Sequence, residues 1–366
     1  MGIALDTAPT HIMDKYRIDA HKLIYHPERV SDWLKTKNIY PIYAEISPSG
    51  ACNHRCTYCA LDFMGYKPRF LDTKMLKIRL KELAGLGLKS AMFAGEGEPF
   101  LHPDMAEISV YANKCGIDTS FTTNAALMHP SSIDKILATT SWIKVSINGG
   151  TPETYAKIHR ASPADFEKVF DNLAYAAMLK EKKGYACALG MQMVLLPENA
   201  HEAVKLAKKT RHTGMDYLVI KPYSQHPQSI TDRYKKIRYA DCEKLAGDLK
   251  KLNRPEFSVI FRSGAMQKWD EGGRPYNRCL ALPFWSYIDA GGNVWGCSMF
   301  LANENFRYGN INEKTFRQIW EGERRRKSLE HVRKMDATTC RVNCRMDEIN
   351  RYLWQLKNPM EHVNFI

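Results

Sequence analysis

The sequence predicts an α/β fold, a partial (β/α)6 barrel followed by a small C-terminal domain. Three observations predict it. Short β-like runs alternate with amphipathic helical runs from about residue 39 onward. The helical runs carry recognisable caps and stops. The cysteines gather in a tight loop behind the first β-like run and in a C-terminal segment.

The predicted strands are 42–46, 90–94, 118–122, 143–147, 188–195 and 217–221. Six parallel β/α repeats fall short of the closed eight-unit TIM-like form, and they leave the C-terminal strand ends as a site-bearing rim. Between them, Asp72 caps a helix carrying Leu76, Leu80 and Leu83, and a helix over 103–114 stops at Gly116. Ser162, Pro163 and Asp165 supply a cap, a first-turn proline and a first-turn acid. They open a helix whose Phe166, Val169, Phe170, Leu173 and Ala177 share one face. Another helix runs over 200–211 and ends before Gly214. The pattern turns polar and charged after Ser224-Gln225-His226-Pro227 and changes again near Gly272. The expected organisation is a helical extension over 1–38, the barrel over 39–230, a linker over 231–271, the C-terminal domain over 272–350 and a tail over 351–366.

Composition narrows the function classes. With 44% hydrophobic and 25% charged residues, the 366-residue chain is neither disordered nor fibrous. Its longest weakly polar run, 185–197, is interrupted by Gln192 and falls short of the roughly 20 residues a membrane helix needs. The first residues lack a basic region followed by an apolar stretch, and Asp6 stands where a myristoylation signal has Ser or Thr. A cytoplasmic protein is expected. Net charge is +13, with basic runs at 205–211, 233–238 and 324–327. These read first as solvated helix faces and second as attraction for an anionic substrate or an acidic electron donor. No nucleic-acid motif accompanies them. Ten cysteines without a secretion signal point to metal or catalysis rather than disulfides. Cys115, Cys187 and Cys242 stand alone as small apolar residues or surface thiols.

Cys52, Cys56 and Cys59 form a C-x3-C-x2-C loop, with Tyr58 just before the last cysteine. Three thiolates this close can hold three irons of a four-iron cluster and leave the fourth without a protein ligand, which is where a substrate can bind. A zinc site completed by His54 is the alternative, although zinc more often takes two separated cysteine pairs.

This loop, behind the first strand of a partial barrel, resembles the hallmark of the radical S-adenosylmethionine (SAM) superfamily. The resemblance implies a 4Fe-4S cluster on Cys52, Cys56 and Cys59 as the catalytic centre. It also implies SAM bound at the open iron, a 5'-deoxyadenosyl radical that takes hydrogen from an unactivated carbon, and a reducing partner such as flavodoxin or ferredoxin. Tyr58 should then lie beside the adenine. The second strand ends in Gly95-Glu96-Gly97-Glu98-Pro99, similar to the family's Gly-Gly-Glu-Pro turn that receives the SAM amino group. Glu96 replaces the first glycine of that turn, and Glu98 is the better-matched acid. The Thr123-Asn124 rim also resembles the family's, and Ser146 and Arg160 suit a SAM carboxylate or ribose. Cofactor contacts are therefore expected from Tyr58, Gly97, Glu98, Asn124, Ser146 and Arg160. Lys221, Tyr223 and Gln225, at the sixth strand's end, are expected to face an anionic or hydroxyl-rich substrate.

Near the C-terminus stand Cys279-x17-Cys297 and Cys340-x3-Cys344, joined by a hairpin around Gly291-Gly292. Such a set can ligate zinc or a four-iron cluster, and spacing favours neither. With Tyr308-Gly309-Asn310-Ile311, Phe316 and Trp320, the segment resembles the family's shortened auxiliary-cluster extension, called twitch. It has too few cysteines for the two clusters of the longer SPASM version. One auxiliary 4Fe-4S cluster is expected, on Cys279, Cys297, Cys340 and Cys344. If all four irons are protein-ligated, that cluster accepts or relays an electron after hydrogen abstraction; if one cysteine is not a ligand, it anchors substrate instead.

The expected enzyme is an oxidoreductase that oxidises an alcohol carbon of a small polar metabolite, such as a sugar, cyclitol or nucleotide-linked sugar. The alternatives are radical modification of a ribosomally made peptide, a zinc-stabilised nucleic-acid-binding module and an electron-transfer protein. Neither a membrane nor nucleic acid is an expected partner.

Overall fold

The structure, a computed structural model, describes Tyr16, Ile18 and residues 20–365. Its framework is one ten-stranded sheet: β1 (Tyr43–Ile46), β2 (Ser90–Phe93), β3 (Asp118–Thr123), β4 (Thr140–Ser146), β5 (Ala188–Leu195), β6 (Tyr217–Pro222), β7 (Ser258–Phe261), β8 (Trp285–Ile288), β9 (Asn293–Trp295) and β10 (Arg307–Asn310). Strands β1 to β7 pair in chain order, every pair parallel. Each parallel step needs a crossover, and helices supply it while covering the outer face. Burial on both faces explains why seven of the eight residues of β5 are buried.

The six predicted strands all form, with ends shifted by a few residues. The Asp72 carboxylate accepts the Met75 N–H at 2.7 Å and opens the helix Thr73–Gly85, whose Leu76, Leu80 and Leu83 are fully buried. The helix Ala164–Lys183 begins one residue later than a Ser162 cap requires. Pro163 is its N-cap, and the Ser162 hydroxyl accepts the Ala164 N–H at 3.3 Å. Phe166, Val169, Phe170 and Leu173 are buried as predicted, and Gly184 ends the helix in a left-handed conformation.

Two regions differ from the sequence reading. The stretch 231–271 contains the helix Glu243–Lys250, strand β7 beside β6, and the helix Ser263–Glu271. It therefore adds a seventh parallel strand. β7 has only four residues and lies at the sheet edge, too short for a clear alternation to stand out among polar neighbours. The C-terminal segment does not build a sheet of its own. β8 pairs in parallel with the free edge of β1, Tyr43 opposite Trp285 and Ile46 opposite Ile288, and β9 and β10 follow antiparallel. This pairing covers an otherwise unpaired strand edge.

Of the expected N-terminal extension, the described part holds a short 3-10 turn and the helix Pro27–Leu34, with Val30 buried; the rest lies outside the described residues. The helix Asp347–Lys357 runs into the expected tail. Of the basic runs, 324–327 is not wholly solvated, because Arg325 is buried with its guanidinium 3.9 Å from the Trp320 ring centroid. Among the described residues, no helix is long and apolar enough to cross a membrane.

Candidate active site

The C-terminal ends of the parallel strands surround a cavity of about 340 Å3. Cys52, Cys56 and Cys59 line it from the loop after β1. That loop is clamped to the turn after β2, where the Glu98 N–H donates to the Ala51 carbonyl at 2.8 Å. The approach is so close that a Cβ on Gly97 would sit 2.2 Å from the Ala51 oxygen and 2.3 Å from that of Ser49. Only glycine fits there.

The two acids of the turn diverge. Glu96 accepts from Arg69 at 2.8 Å and from the Ala290 N–H at 2.8 Å, so it ties the rim to the β8–β9 hairpin. Glu98 lines the cavity and accepts from the Thr123 hydroxyl at 2.5 Å, the Asn124 N–H at 2.8 Å and the Phe100 N–H at 3.2 Å. A carboxylate offers about four acceptor positions, so one remains for a ligand ammonium. Burial pushes the Glu98 carboxyl up to about 7, against the pull of those three donors. Asn124 lines the cavity and also donates to the Asn53 side chain at 2.8 Å, bracing the cysteine loop. Ser146 lines it from the end of β4.

Tyr58 lines the cavity, its hydroxyl accepting from Asn148 Nδ2 at 2.6 Å and its ring edge-on to His159. Arg160 was expected at the SAM carboxylate or ribose. It instead forms the left-handed C-cap of the helix Pro152–His159 and points to solvent. Its neighbour His159 is the residue that enters the cavity wall, because the helix turns that position inward with Tyr155 one turn earlier. Lys221 and Tyr223 line the cavity. Gln225 does not, being held by the Tyr223 hydroxyl at 2.9 Å and by backbone carbonyls.

His159, Asn148, Glu45, Arg262, Arg341 and Arg345 went unrecognised in the sequence. His159 Nε2 accepts the Asn148 backbone N–H at 3.1 Å, so the proton belongs on Nδ1, which faces Cys56 Sγ at 3.4 Å. Burial, with His54 nearby, holds the His159 imidazole well below its ordinary range and keeps it neutral. His159 therefore donates a hydrogen bond to Cys56. The i, i+4 pair Tyr155–His159 was the available signal, and so was the alternation of Arg341 and Arg345 with Cys340 and Cys344.

The four C-terminal cysteines line a second, smaller cavity of about 40 Å3 with Leu282, Met299, Phe300, Phe306 and Val332. The Met299 N–H donates to Cys297 Sγ and the Met346 N–H to Cys344 Sγ, both at 3.4 Å. Burial pushes the thiols of Cys52 and Cys279 up to about 12 and raises the other five. Metal binding must therefore displace protons.

The sulfur spacing bears on the metal. Thiolates on one zinc ion lie about 3.8 Å apart, given a Zn–S bond of about 2.3 Å in a tetrahedron. Among the described residues, the one trio of ligand atoms within 4.8 Å of one another is His54, Cys56 and His159. Neither cysteine set is drawn in to zinc spacing, and His159 Nδ1 carries a proton rather than a lone pair for metal. Thiolates at the corners of a four-iron cube stand farther apart. Three cysteines against a 340 Å3 space fit a cluster with an open iron, and four in a tight apolar chamber fit a closed one.

Fold and site thus define an open-barrel α/β enzyme built around a three-cysteine iron-sulfur centre. Residues 46–210 match the radical SAM superfamily, and residues 279–345 match SPASM, an iron-sulfur cluster-binding domain. The chain belongs to the radical SAM superfamily, with a SPASM domain at its C-terminus. The expected SAM-binding cluster, auxiliary cluster chemistry and SAM follow from that membership. The zinc-stabilised nucleic-acid module and the simple electron-transfer protein are set aside by it.

The chain is 24% identical to the AdoMet-dependent heme synthase of Methanosarcina barkeri over 293 residues, 75% of this chain and 80% of that one. It is 27% identical to the GTP 3',8-cyclase of Chlorobaculum tepidum over 197 residues, 52% of this chain and 57% of that one. The fold is similar to that of Streptococcus suis SuiB bound to its precursor peptide SuiA, with a TM-score of 0.63 and 18% identity over 82% of this chain and 69% of that one.

Proposed function

We propose that this radical SAM enzyme removes a hydrogen atom from an alcohol carbon of a small polar metabolite, such as a sugar, cyclitol or nucleotide-linked sugar, and completes a two-electron oxidation. The observation that carries the reading is the cavity. Beyond the cysteine rim that the cluster and SAM take up, its wall is polar and basic, which suits a small hydroxyl-bearing or charged molecule. Its walls place Glu98, Asn124 and Ser146 near the cysteine loop and Lys221 and Tyr223 at the end of β6.

When bound, the first cluster supplies the electron that splits SAM into methionine and the 5'-deoxyadenosyl radical, with Cys52, Cys56 and Cys59 as its ligands. Glu98 accepts from the SAM amino group through its remaining acceptor position. Ser146 reaches the SAM carboxylate or ribose, and Tyr58 flanks the adenine. Lys221 and Tyr223 orient the metabolite so that one C–H bond faces the radical. The substrate radical then gives up one electron and its hydroxyl proton to become a carbonyl. Cys279, Cys297, Cys340 and Cys344 would hold the second cluster, which would supply the acceptor for that electron. Flavodoxin or ferredoxin is the proposed reductant, and the cytoplasm the proposed location.

A second reading, modification of a ribosomally made peptide, draws on the likeness to SuiB, whose structure holds a precursor peptide. One experiment separates the two. The protein is reconstituted anaerobically to about eight irons and eight sulfides per chain. It is then reduced with SAM and assayed for 5'-deoxyadenosine with deuterated sugars, cyclitols and nucleotide sugars. Deuterium in the 5'-deoxyadenosine from one of these supports the proposal. Deuterium arriving only from a precursor peptide transfers the assignment to the second reading.

A further inference from the structure

One wall of the cavity carries far more positive than negative charge. Lys221 from β6, Arg262 from just beyond β7, and Arg341 and Arg345 from the C-terminal cysteine loop all line it, and Lys144 on β4 lies close behind. Three carboxylates line the same cavity, and each is engaged. Glu45 pairs with Arg345 at 2.6 Å, Glu96 with Arg69, and Glu98 with its three donors at the opposite rim. Arg341 donates to the Ser224 hydroxyl, a neutral partner, at 2.7 Å.

Lys221 has no hydrogen-bond or ion-pair partner among the described residues, although it is enclosed by the barrel. Burial opposes its charge, and so do Lys144, Arg341, Arg262 and Arg345 around it, which together hold the ammonium well below its ordinary range. The same forces bring Lys144 down to about 8. Half-buried charges crowded together are stabilised when an anion meets them, and Lys221 has no carboxylate beside it among the described residues. The Cys344 thiolate offsets part of the charge on Arg341 and Arg345 when metallated, but it faces the second cavity and leaves Lys221 uncompensated.

We infer that the wall formed by Lys221, Arg262, Arg341 and Arg345 is a subsite for a compact anionic group of the substrate, a phosphate or a carboxylate. This rests on the small-metabolite reading and narrows it. Among sugars and cyclitols it selects those bearing such a group. Three arginines and a lysine offer forked and point-charge donors, the combination that suits tetrahedral or planar oxyanions. The anion would anchor one end of the substrate, leaving a neutral C–H to meet the radical.

The test uses the reconstituted holoenzyme saturated with SAM and titrates inorganic phosphate, inorganic pyrophosphate and succinate by calorimetry. At least one should bind saturably, and Lys221→Met should weaken it by about tenfold or more, as loss of a charged hydrogen-bonding partner does. Arg341→Gln, which alters a different element, should weaken it as well. Lys221→Met should also fold at least as stably as the parent, because it removes a half-buried charge without a partner. Tighter phosphate than succinate binding assigns a phosphate, and the reverse a carboxylate. Two results overturn the inference: no saturable binding of any of the three, or binding seen only when SAM is left out, which would give these cations to the SAM carboxylate. If reduction still yields 5'-deoxyadenosine in either case, the radical SAM reading stands while the subsite falls. If no 5'-deoxyadenosine forms, the broader reading fails first.

Discussion

The two cysteine sites use the same ligand in opposite surroundings. Cys52, Cys56 and Cys59 lie within one short loop, against a cavity of about 340 Å3 walled by acids, amides, lysine and arginines. Cys279, Cys297, Cys340 and Cys344 come from three separate loops and enclose about 40 Å3 walled mainly by apolar side chains. The first cavity is wide enough to admit a reactant beside its cysteines; the second is nearly closed. The difference is one thiolate and the volume beside it, and on the proposed reading it separates a centre that does chemistry from one that passes electrons. The sites meet at residues 340–345, where cysteines facing the small chamber alternate with Arg341, Asn343 and Arg345 facing the large one.

The largest effect expected from breaking this contrast is at the open site. Cys56→Ala should abolish 5'-deoxyadenosine formation while circular dichroism shows the fold retained. Unaltered turnover would remove the three-cysteine loop from catalysis. Cys344→Ala should lower the iron content toward about four per chain and eliminate oxidised product, yet leave some reductive SAM cleavage. Loss of both reactions together would show that the two sites are not separable in function.

His159→Phe should sharpen the comparison, because it removes the N–H donated to Cys56 without touching a ligand. Hydrogen bonds to cluster sulfurs raise reduction potential, so the potential of the first cluster should fall and that of the second stay put. Cleavage should slow by about 10- to 100-fold, the usual cost of losing an outer partner. A redox titration followed by electron paramagnetic resonance reads this directly.

Glu98 gives a smaller, graded effect. Its value in the fold, about 7, lies above the ordinary 4.5, so the ionised form that accepts from the SAM amino group is present above pH 7 and lost below it. SAM affinity should therefore fall by about tenfold per pH unit below 7, and Glu98→Gln should flatten the profile at its weak limb. A pH-independent dissociation constant in the parent enzyme would remove Glu98 from the amino-group contact.

Much of this was legible in the chain. The cysteine spacings, the six main strands and the Gly97-Glu98 turn are local features, and local features are written in consecutive residues. Asp72 caps its helix and Leu76, Leu80 and Leu83 fill the core because a 3.6-residue period is visible without partners. Arg160 and Gln225 were drawn toward the site by proximity in sequence, but side-chain direction at a helix end and in a loop depends on a turn of about 100° per residue and on bonds made elsewhere.

By itself, the sequence determined the class of cofactor: three thiolates in one loop and four near the C-terminus. The tertiary structure decided what surrounds them. β8 could pair with β1 only after the barrel had left that edge free, and this pairing carries Arg341 and Arg345 to the same cavity as Lys221. His159 presents an N–H to Cys56 because the Asn148 backbone N–H, just beyond the end of β4, occupies its other ring nitrogen. The contacts of β8 with β1, of His159 with Cys56 and of the two arginines with the Lys221 wall join residues about a hundred or more positions apart, and no pattern of neighbours encodes them. They depend on which edges remain unpaired and which charges remain uncompensated once the chain is compact.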